Sequence, residues 1–400
     1  MKIAVAGKNE LACQVLDYLL DSCDFTNRDI CVIANRSDNG ENSWQRSLKA
    51  LAELREVRVL DEQEIYAIKD LLFLSLEYDR IVKVEKFLSN RLFNIHFSYL
   101  PEYKGMYTSV LPLLFNELST GVTLHEIDNG IDTGRIVDQK RINLSNDLTS
   151  ENLYHLLTDL GVDLIKSNLS NLLNNSYSAV PQRVKGSKYF PKGYIDFSNV
   201  EINMRQTAFQ IKTYVNAFCF RPYQRPRLDG LEIDKVVITN DKSTGAPGKI
   251  IHQDEFTLTY NTIDYNIVLI KAVDEQLIKA AEIGDLEYLV EYKSLGGRID
   301  FKNSKGWDIA IVSAFNGYDD IMYWALENGI SHETTNYNGT TLAMYVMTNA
   351  IDNNNYDRFK FFLEKCRPDI SRQDYYGNDL KFYAMKRKSS KAIDLIIHYK

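Results

Sequence analysis

Short apolar runs alternate with segments of helical periodicity over the N-terminal region of the chain. The apolar runs predict strands at residues 2–6, 29–34, 55–60, 71–76 and 92–97. Amphipathic patterns between them predict helices, for example at residues 10–20, 43–54 and 61–69. Strands that alternate with helices form a mainly parallel sheet with helices on both faces. The sequence therefore predicts an α/β fold whose ligands bind at the carboxyl ends of the strands.

Three polar residues fall where such a fold places its ligands. Asn94 and His96 lie two apart on the strand predicted at 92–97, so their side chains share one face. Asp132 follows 36 residues after His96, in the glycine-flanked loop GIDTG at 130–134. A carboxylate there can hold the imidazole in one tautomer. No Ser or Cys nucleophile accompanies the three, so the chemistry indicated is attack by a substrate's amine on an acyl group.

Two longer motifs surround these residues and carry a family resemblance. The segment NIHFSYLPEYKG at 94–105 resembles the N-x-H-x-S-x-L-P-x-Y-x-G motif of the folate-dependent formyltransferases. The segment GVTLHEIDNGIDTG at 121–134 resembles the second motif of the same family. Within that family the chain is most similar to sugar N-formyltransferases, which modify amino sugars carried on nucleotides. The resemblance covers the first half of the chain, weakens in the middle and does not reach the C-terminal third.

The resemblance implies a cofactor and a role for each residue of the trio. The cofactor is 10-formyltetrahydrofolate, with His96 as general base, Asn94 as donor to the oxyanion and Asp132 as the orienting carboxylate. The pterin is expected on backbone groups of two loops, represented by Leu76, Glu77 and Tyr78 and by Ile127, Asp128 and Ile131. His125 lies between apolar residues of a predicted strand and is expected to be structural.

The nucleotide of the second substrate is expected beside the segment at 218–226, which combines aromatic and arginine side chains. Aromatic rings offer a stacking face and arginine offers paired donors for phosphate. Phe220, Arg221 and Tyr223 are the candidates there, although Phe220 alternates with Phe218 as core residues do. Further candidates near the strand ends are Lys8, Asn9 and Arg183.

The C-terminal third contains a repeat. Gly306 and Gly339 are 33 residues apart, and Gly377 follows 38 residues later. The first spacing is the ankyrin period, and the motifs around these glycines resemble degraded ankyrin repeats. Trp307 and Tyr337 lie beside the repeated turns and predict a second site for a protein or a flat ligand such as a nucleotide base. The alternative is that they pack against adjacent repeats.

These features predict three domains: a Rossmann-like formyltransferase domain at 1–175, a small β-rich domain at 176–272 and all-α ankyrin repeats at 273–400. The net charge of −7 argues against a nucleic-acid partner, since no basic surplus neutralises phosphates. The five cysteines form no CxxC pair, and no metal site is expected. No signal peptide or membrane span is recognised, which predicts a cytoplasmic protein. A homodimer is expected by resemblance.

The sequence therefore predicts formylation of a dTDP-linked amino-dideoxy sugar destined for surface polysaccharide such as O-antigen. The favoured substrate is dTDP-3-amino-3,6-dideoxyglucose, because fusion to ankyrin repeats resembles the branch acting on 3-amino sugars. The isomeric dTDP-4-amino-4,6-dideoxyglucose stays an alternative. Formylation of initiator tRNA or of glycinamide ribonucleotide also stays open, as does an ankyrin interaction protein with a relict transferase domain.

Overall fold

The structure is a computed structural model that describes residues 1–183, 186–221 and 223–399. In chain order the strands are β1 (Lys2–Gly7), β2 (Ile30–Ala34), β3 (Arg58–Val59), β4 (Leu71–Leu76), β5 (Leu92–His96), β6 (Lys104–Gly105), β7 (Ser119–Glu126), β8 (Ile136–Asn143), β9 (Tyr189–Phe190), β10 (Arg227–Leu228), β11 (Leu231–Lys242), β12 (Ile250–Gln253), β13 (Thr257–Tyr260) and β14 (Tyr265–Lys271). The helices are α1 (Asn9–Asp21), α2 (Leu48–Leu54), α3 (Glu62–Tyr66), α4 (Leu111–Leu114), α5 (Ser150–Leu173), α6 (Ala208–Phe218), α7 (Asp274–Ile283), α8 (Leu286–Ser294), α9 (Ile309–Asn316), α10 (Asp319–Glu327), α11 (Leu342–Asp352), α12 (Tyr356–Cys366), α13 (Leu380–Lys386) and α14 (Ser390–His398), with a short 3₁₀ helix at Val84–Lys86.

The main sheet has the strand order β3-β2-β1-β4-β5-β7-β8. Its first five strands run parallel, whereas β7 is antiparallel to both β5 and β8. The predicted α/β fold with a mainly parallel sheet is therefore confirmed. The connection between β7 and β8 carries the glycine-flanked loop that contains Asp132.

Local interactions set two of the element boundaries. The strand predicted at 55–60 is reduced to β3, because α2 continues to Leu54 and Arg55 caps it by donating its backbone N–H to Leu51. Local bonds also set the start of α6. Thr207 and Gln210 form a capping box at its start, and such reciprocal bonds fix the position of a helix N-terminus.

The two faces of β5 have different neighbours. Ile95 and Phe97 point towards α5, where Gly161 leaves room for their side chains and for Leu11 of α1. Asn94 and His96 alternate with them and therefore project from the opposite face. That face is covered further back by an apolar cluster that includes Phe73. The carboxyl end of β5 thus carries polar side chains just beyond an apolar floor.

The segment after α5 forms a second sheet with the order β10-β11-β14-β13-β12. Helix α6 packs on β11, and Ile211 and Val215 of the helix join Ile233 and Val236 of the strand in one core. The chain divides into two compact units: residues 1–41, 45–253 and 257–269 form one, and residues 42–44, 254–256 and 270–400 form the other. The parts predicted as separate domains at 1–175 and 176–272 thus lie, up to residue 269, in the same unit.

The second unit is helical and repetitive over its described residues. Its helices follow one another as the pairs α7–α8, α9–α10, α11–α12 and α13–α14. The turns that precede the last three pairs are equivalent, since Gly306, Gly339 and Gly377 all have φ of +79°. In each turn a side-chain oxygen three residues before the glycine accepts two backbone N–H groups, and the residues are Asn303, Asn336 and Asp374.

Two kinds of feature are absent from the described residues. No helix there is both long and apolar enough to cross a bilayer. No group of three or more His, Cys, Asp or Glu side chains in the same part of the chain is placed to hold a metal ion.

Candidate active site

The register between β5 and β7 assembles the candidate site. Asn94 is directly opposite His125, and His96 is directly opposite Thr123. Opposed residues on neighbouring strands project their side chains to the same face. The predicted pair Asn94 and His96 is therefore joined by a third polar side chain, that of His125.

His96 is held by the main chain and faces the carboxylate of Asp132. Its Nε2 lies 2.8 Å from the carbonyl oxygen of Tyr103. Because a carbonyl only accepts, Nε2 carries the proton in the neutral ring. Nδ1 then holds the lone pair, and it lies 3.6 Å from Oδ2 of Asp132. The basic atom of His96 is therefore Nδ1, beside a carboxylate that can stabilise the protonated ring.

Asp132 occupies a strained position and is kept ionised. Its φ is +53°, and its Oδ2 accepts a hydrogen bond of 2.8 Å from the Gly105 N–H. Burial alone would raise the pKa of Asp132, but the charges that His96 and His125 can carry and the Gly105 N–H hold that pKa well below its usual range. The loop is fixed from outside by Gln182, whose amide donates to the carbonyls of Asp132 and Gly134 at 2.8 Å each. Sequence reasoning did not find Gln182.

His125 is not the isolated structural residue that the sequence suggested. Its Nε2 lies 3.1 Å from the amide nitrogen of Asn94 and 3.7 Å from Oδ1 of Asp132. Its Nδ1 lies 2.6 Å from the Glu126 carbonyl oxygen. The side chain therefore connects two of the three predicted catalytic residues. A signal for this was its place in the second motif, but the contact depends on strand register.

The two loops predicted to hold the pterin pack against the same apolar cluster. Tyr78 and Ile127 both pack, partly buried, against the apolar cluster beneath the strand ends. Ile131 leaves 43% of its surface exposed, and Asp128 braces the second loop by accepting from the Gly130 N–H and the Thr133 hydroxyl. An apolar floor rimmed by loop backbone suits a flat, polar-edged ring. The apolar floor thus fits a pterin ring, although the Ile127 N–H is already bonded to the Leu92 carbonyl.

Leu76 and Glu77, the other predicted pterin contacts, have separate surroundings. Leu76 is buried as the last residue of β4. Glu77 has φ of +58°, and its carboxylate oxygens lie 2.9 and 2.8 Å from the Tyr154 hydroxyl. Burial raises the pKa of Glu77 to about 7, against the opposing hydrogen bond from Tyr154 and the charge of Lys8. Glu77 is thus a titratable side chain near the cleft and offers more than backbone groups.

Arg221, a predicted phosphate ligand, has a buried side chain. Its guanidinium, with a side-chain exposure of 5%, is paired with both carboxylate oxygens of Asp234 at 3.2 and 3.3 Å. A buried bidentate pair of this kind ties Arg221 to β11, and its role as a phosphate ligand stays a prediction. Pro222, in the same segment, lies outside the described residues.

The aromatic residues of that segment differ in exposure. Phe220 is buried and its ring lies 5.6 Å from that of Tyr154, as the core alternative predicted. Tyr223 is 60% exposed, and its ring lies 5.0 Å from that of Phe220. Tyr223 is therefore the residue of the segment that can offer a stacking face.

Three further substrate candidates lie at the edges of this region. Asn9 begins α1 with φ of +63°, and its amide lies 3.4 Å from the Tyr154 hydroxyl. Lys8, half-buried, precedes it and acts on Glu77 through its charge. Arg183 is exposed and directly follows Gln182, the residue that holds the Asp132 loop. Asn9 and Lys8 thus belong to the Glu77 cluster, and Arg183 adjoins the catalytic loop.

In the helical unit, Trp307 and Tyr337 both have packing roles. The Trp307 ring lies 5.0 Å from that of Phe315 and 5.2 Å from that of Tyr345. Tyr337 packs against Gly306, where any side chain would overlap it. Both residues therefore pack within the repeats, as the alternative predicted. A cavity of about 490 Å³ nearby is lined by Phe315, Thr340, Met344, Tyr345, Thr348, Tyr383, Lys386 and Arg387.

Comparison with known proteins places this geometry in a family. Residues 72–169 match the formyl transferase family. The methionyl-tRNA formyltransferase of Alkaliphilus oremlandii is 25% identical over 309 residues, which cover 72% of this chain and 96% of that protein. A solved N-formyltransferase from Helicobacter canadensis, in complex with folinic acid and dTDP-3-aminofucose, is 40% identical. It has a TM-score of 0.63 and covers 68% of this chain and 100% of its own.

A second solved structure gives the same result. WlaRD, a sugar 3N-formyl transferase solved in the presence of dTDP and 5-N-formyl-THF, is 39% identical with a TM-score of 0.63. The match covers 68% of this chain and 98% of WlaRD. The two solved relatives are 40% and 39% identical to this chain and match it over 100% and 98% of their own length. This chain therefore belongs to the folate-dependent formyltransferases. It is an enzyme of one-carbon transfer.

Proposed function

We propose that this enzyme transfers the formyl group of 10-formyltetrahydrofolate to the amine of a dTDP-linked amino-dideoxy sugar. We take dTDP-3-amino-3,6-dideoxyglucose as the favoured acceptor and surface polysaccharide as its destination. The observation that carries the proposal is the set of His96, Asp132 and Asn94 at one strand end. That set provides a base, its stabilising carboxylate and an amide donor. The bound ligands of the two relatives support a folate and a dTDP-sugar for this cleft.

His96 would move the proton of the attacking amine. The cofactor supplies the formyl group, and the amine must lose a proton as it attacks. Nδ1 of neutral His96 would accept that proton, because Nε2–H is already bonded to the Tyr103 carbonyl. The resulting imidazolium would have both N–H groups facing acceptors, Tyr103 on one side and Asp132 on the other.

Asn94 would act on the oxygen of the group being transferred. Negative charge develops on that oxygen during attack, and an amide N–H aimed at it stabilises the transition state. One such donor is worth about 3–4 kcal/mol where water is excluded. Asn94 lies on the same face as His96, so both can reach one reacting centre.

The amine position and the acceptor class have separate support. WlaRD is a 3N-formyl transferase, and the Helicobacter canadensis enzyme was solved with a 3-amino sugar, which supports an amine at C3. A 4-amino sugar remains the alternative isomer. Formylation of methionyl-tRNA has the curated relatives in its favour. The net charge of −7 opposes it, because a tRNA acceptor requires a basic surface.

The test is mass spectrometry of acceptors after incubation with the full-length enzyme and 10-formyltetrahydrofolate. The panel contains dTDP-3-amino-3,6-dideoxyglucose, dTDP-3-aminofucose, dTDP-4-amino-4,6-dideoxyglucose and methionyl-tRNA. We expect one formyl group to be gained by the 3-amino-3,6-dideoxyglucose, with the other sugars slower. Formylation of the tRNA alone would overturn the sugar proposal, and formylation of the 4-amino sugar alone would correct the position of the amine.

We also propose that the helical unit is a stack of ankyrin repeats and that the enzyme is a cytoplasmic homodimer. The repeated glycine turns support the ankyrin assignment, since in each one an Asn or Asp side-chain oxygen accepts backbone N–H groups of the turn. The cavity of about 490 Å³ lined by Phe315 and Tyr345 supports a ligand or partner site there. Trp307 lies behind this lining, with its ring against those of Phe315 and Tyr345. Titration of Trp307 fluorescence with dTDP tests this; a signal unchanged up to millimolar dTDP would count against a nucleotide ligand.

A further inference from the structure

His125 is the polar side chain at the site to which the reaction above gives no role. It is buried, with 3% of its surface exposed, and it stands opposite Asn94 across the antiparallel pair β5–β7. The groups that face it come from three elements. They are Asn94 and the His96 ring on β5, Asp132 on the loop and the Glu126 carbonyl on its own strand.

The hydrogen bonds of His125 define its tautomer. Nδ1 lies 2.6 Å from the Glu126 carbonyl oxygen, which can only accept, so Nδ1 carries the proton of the neutral ring. Nε2 therefore presents a lone pair. The amide nitrogen of Asn94, at 3.1 Å, is nearer to it than Oδ1 of Asp132 at 3.7 Å, so the Asn94 N–H donates to Nε2.

That bond decides between the two orientations of the Asn94 amide. If the amide turned by half a rotation, its oxygen would face the Nε2 lone pair, and two acceptors would meet with no hydrogen between them. His125 therefore keeps the NH₂ group of Asn94 on the side of β7 and leaves the second N–H of that group for another acceptor. In the reaction proposed above, that acceptor is the oxygen on which charge develops.

The backbone around His125 is shaped to keep this contact. A side chain at Gly134 would overlap the Glu126 carbonyl oxygen and would come within 3.3 Å of Nδ1 of His125. The glycine that ends the catalytic loop thus leaves the space in which Glu126 and His125 form their bond. The same loop brings Asp132 to His96, so one short segment serves both imidazoles.

We propose that His125 is a positioning residue, which holds the Asn94 amide so that one of its N–H groups faces the transferred formyl oxygen. This inference rests on the proposed function. It predicts that the loss of His125 acts through Asn94, and that it appears in kcat more than in KM. Binding of the sugar nucleotide does not depend on the Asn94 N–H.

A matched pair of substitutions separates the two hydrogen bonds of the ring. In His125→Gln the side-chain carbonyl reaches the place of Nε2 and keeps an acceptor for Asn94. In His125→Asn the shorter amide reaches the place of Nδ1 and keeps only the donor to Glu126. We expect kcat to fall about tenfold in the Gln variant and about 10²-fold in the Asn variant, with KM values within about threefold of wild type.

A double-mutant cycle then tests whether the effect passes through Asn94. The variants are His125→Asn, Asn94→Ala and their combination, with thermal unfolding of each as the control for folding. Residues that act as a unit are not additive, so the combined variant should be no slower than Asn94→Ala alone. Equal losses from His125→Asn in both backgrounds, or a Gln variant slower than the Asn variant, would overturn the inference and leave the proposed function intact. Absence of formyl transfer by the wild-type enzyme to any amino sugar would overturn both.

Discussion

Asp132 in the sheet unit and Asp308 in the helical unit are both largely buried, but their surroundings differ. Asp132 faces two imidazoles at 3.6 and 3.7 Å and accepts one backbone N–H, from Gly105. Asp308 has 4% of its surface exposed and caps α9 by accepting from the Ile311 N–H at 2.9 Å and from the Thr334 hydroxyl. One aspartate thus has titratable bases as its neighbours, and the other is bonded to neutral donors.

The pKa values of the two carboxyls move in opposite directions. Burial raises the pKa of both. At Asp132 the positive charge available on His96 and His125, with the Gly105 N–H, outweighs burial and lowers the pKa well below the usual range. At Asp308 the bonds from Thr334 and Ile311 and the charge of Lys302 do not outweigh it, and the pKa is raised. Burial opposes the charged form of both carboxyls, and the neighbouring imidazoles overcome that effect at Asp132.

The first way to break this comparison is to remove the charge from each aspartate. Asp132→Asn should lower kcat by about 10³–10⁴-fold, because an amide cannot stabilise protonated His96. The melting temperature should also fall above pH 4, because the lost charge is stabilising there, although the Asn carbonyl can still accept from Gly105. Asp308→Asn is the matched control and should keep kcat within about twofold. Steady-state kinetics of both variants decide it, and near-normal turnover by Asp132→Asn would remove Asp132 from the catalytic set.

A second comparison uses one asparagine from the catalytic strand. Asn94→Ala should reduce kcat about 10²–10³-fold with KM for the sugar nucleotide nearly unchanged, because the lost donor acts in the transition state. Single-turnover rates at saturating substrate measure the chemical step directly. A loss confined to KM would mean that Asn94 binds the ground state and is no oxyanion donor.

The matched asparagine of the helical unit should show the reverse pattern. Asn336 accepts the backbone N–H groups of Asn338 and Thr340, at 2.9 Å each, within a repeated turn. Asn336→Ala should lower the free energy of unfolding by about 1–2 kcal/mol, because two turn N–H groups lose their acceptor. Denaturant titration of the second unit's tyrosine and tryptophan fluorescence measures this, with kcat as the control. Unchanged stability would show that water replaces the Asn336 side-chain oxygen as acceptor without loss of free energy.

The smallest expected effect is a pH dependence of opposite sign at the two aspartates. The folded-state pKa of Asp132 is lowered, so its contribution to stability is present above the unfolded value, about 4, and is lost as pH falls. The folded-state pKa of Asp308 is raised, so its contribution is present below about 4 and is lost as pH rises through the folded value. At any pH between 4 and 7, the melting temperature of Asp308→Asn should therefore be higher than that of wild type. The melting temperature of Asp132→Asn should be lower. Shifts of the same sign in both variants would contradict the comparison.

The parts of the fold that depend on local pattern were predictable from the sequence. Strand β4 has the predicted bounds, because an unbroken apolar run of six residues leaves little choice of where the strand lies. The shared face of Asn94 and His96 follows from strand periodicity alone. The glycine turns at 306, 339 and 377 are recognisable as a repeat from their spacing in the sequence, and they share a φ of +79°.

Features that depend on pairing between distant segments were not predictable in the same way. The contact of His125 with Asn94 requires the register of β5 against β7, which no local pattern encodes. Arg221 is buried because it pairs with Asp234 of β11. The arginine and aromatic residues at 218–226 do not by themselves predict that pairing. Gln182 reaches the loop of Asp132 from 50 positions away and was missed for the same reason.

The bonds that orient the candidate site come largely from the peptide backbone: the carbonyls of Tyr103 and Glu126 and the N–H of Gly105. Every residue type has a main-chain carbonyl, and every type except proline has an N–H, so these bonds do not depend on the side chain at those positions. A laboratory that evolves the enzyme towards new acceptors can therefore diversify an exposed residue such as Tyr223 without changing the backbone contacts of His96 and His125. Gly105 is the position to leave out of such a library, because any side chain there would overlap the Phe190 carbonyl.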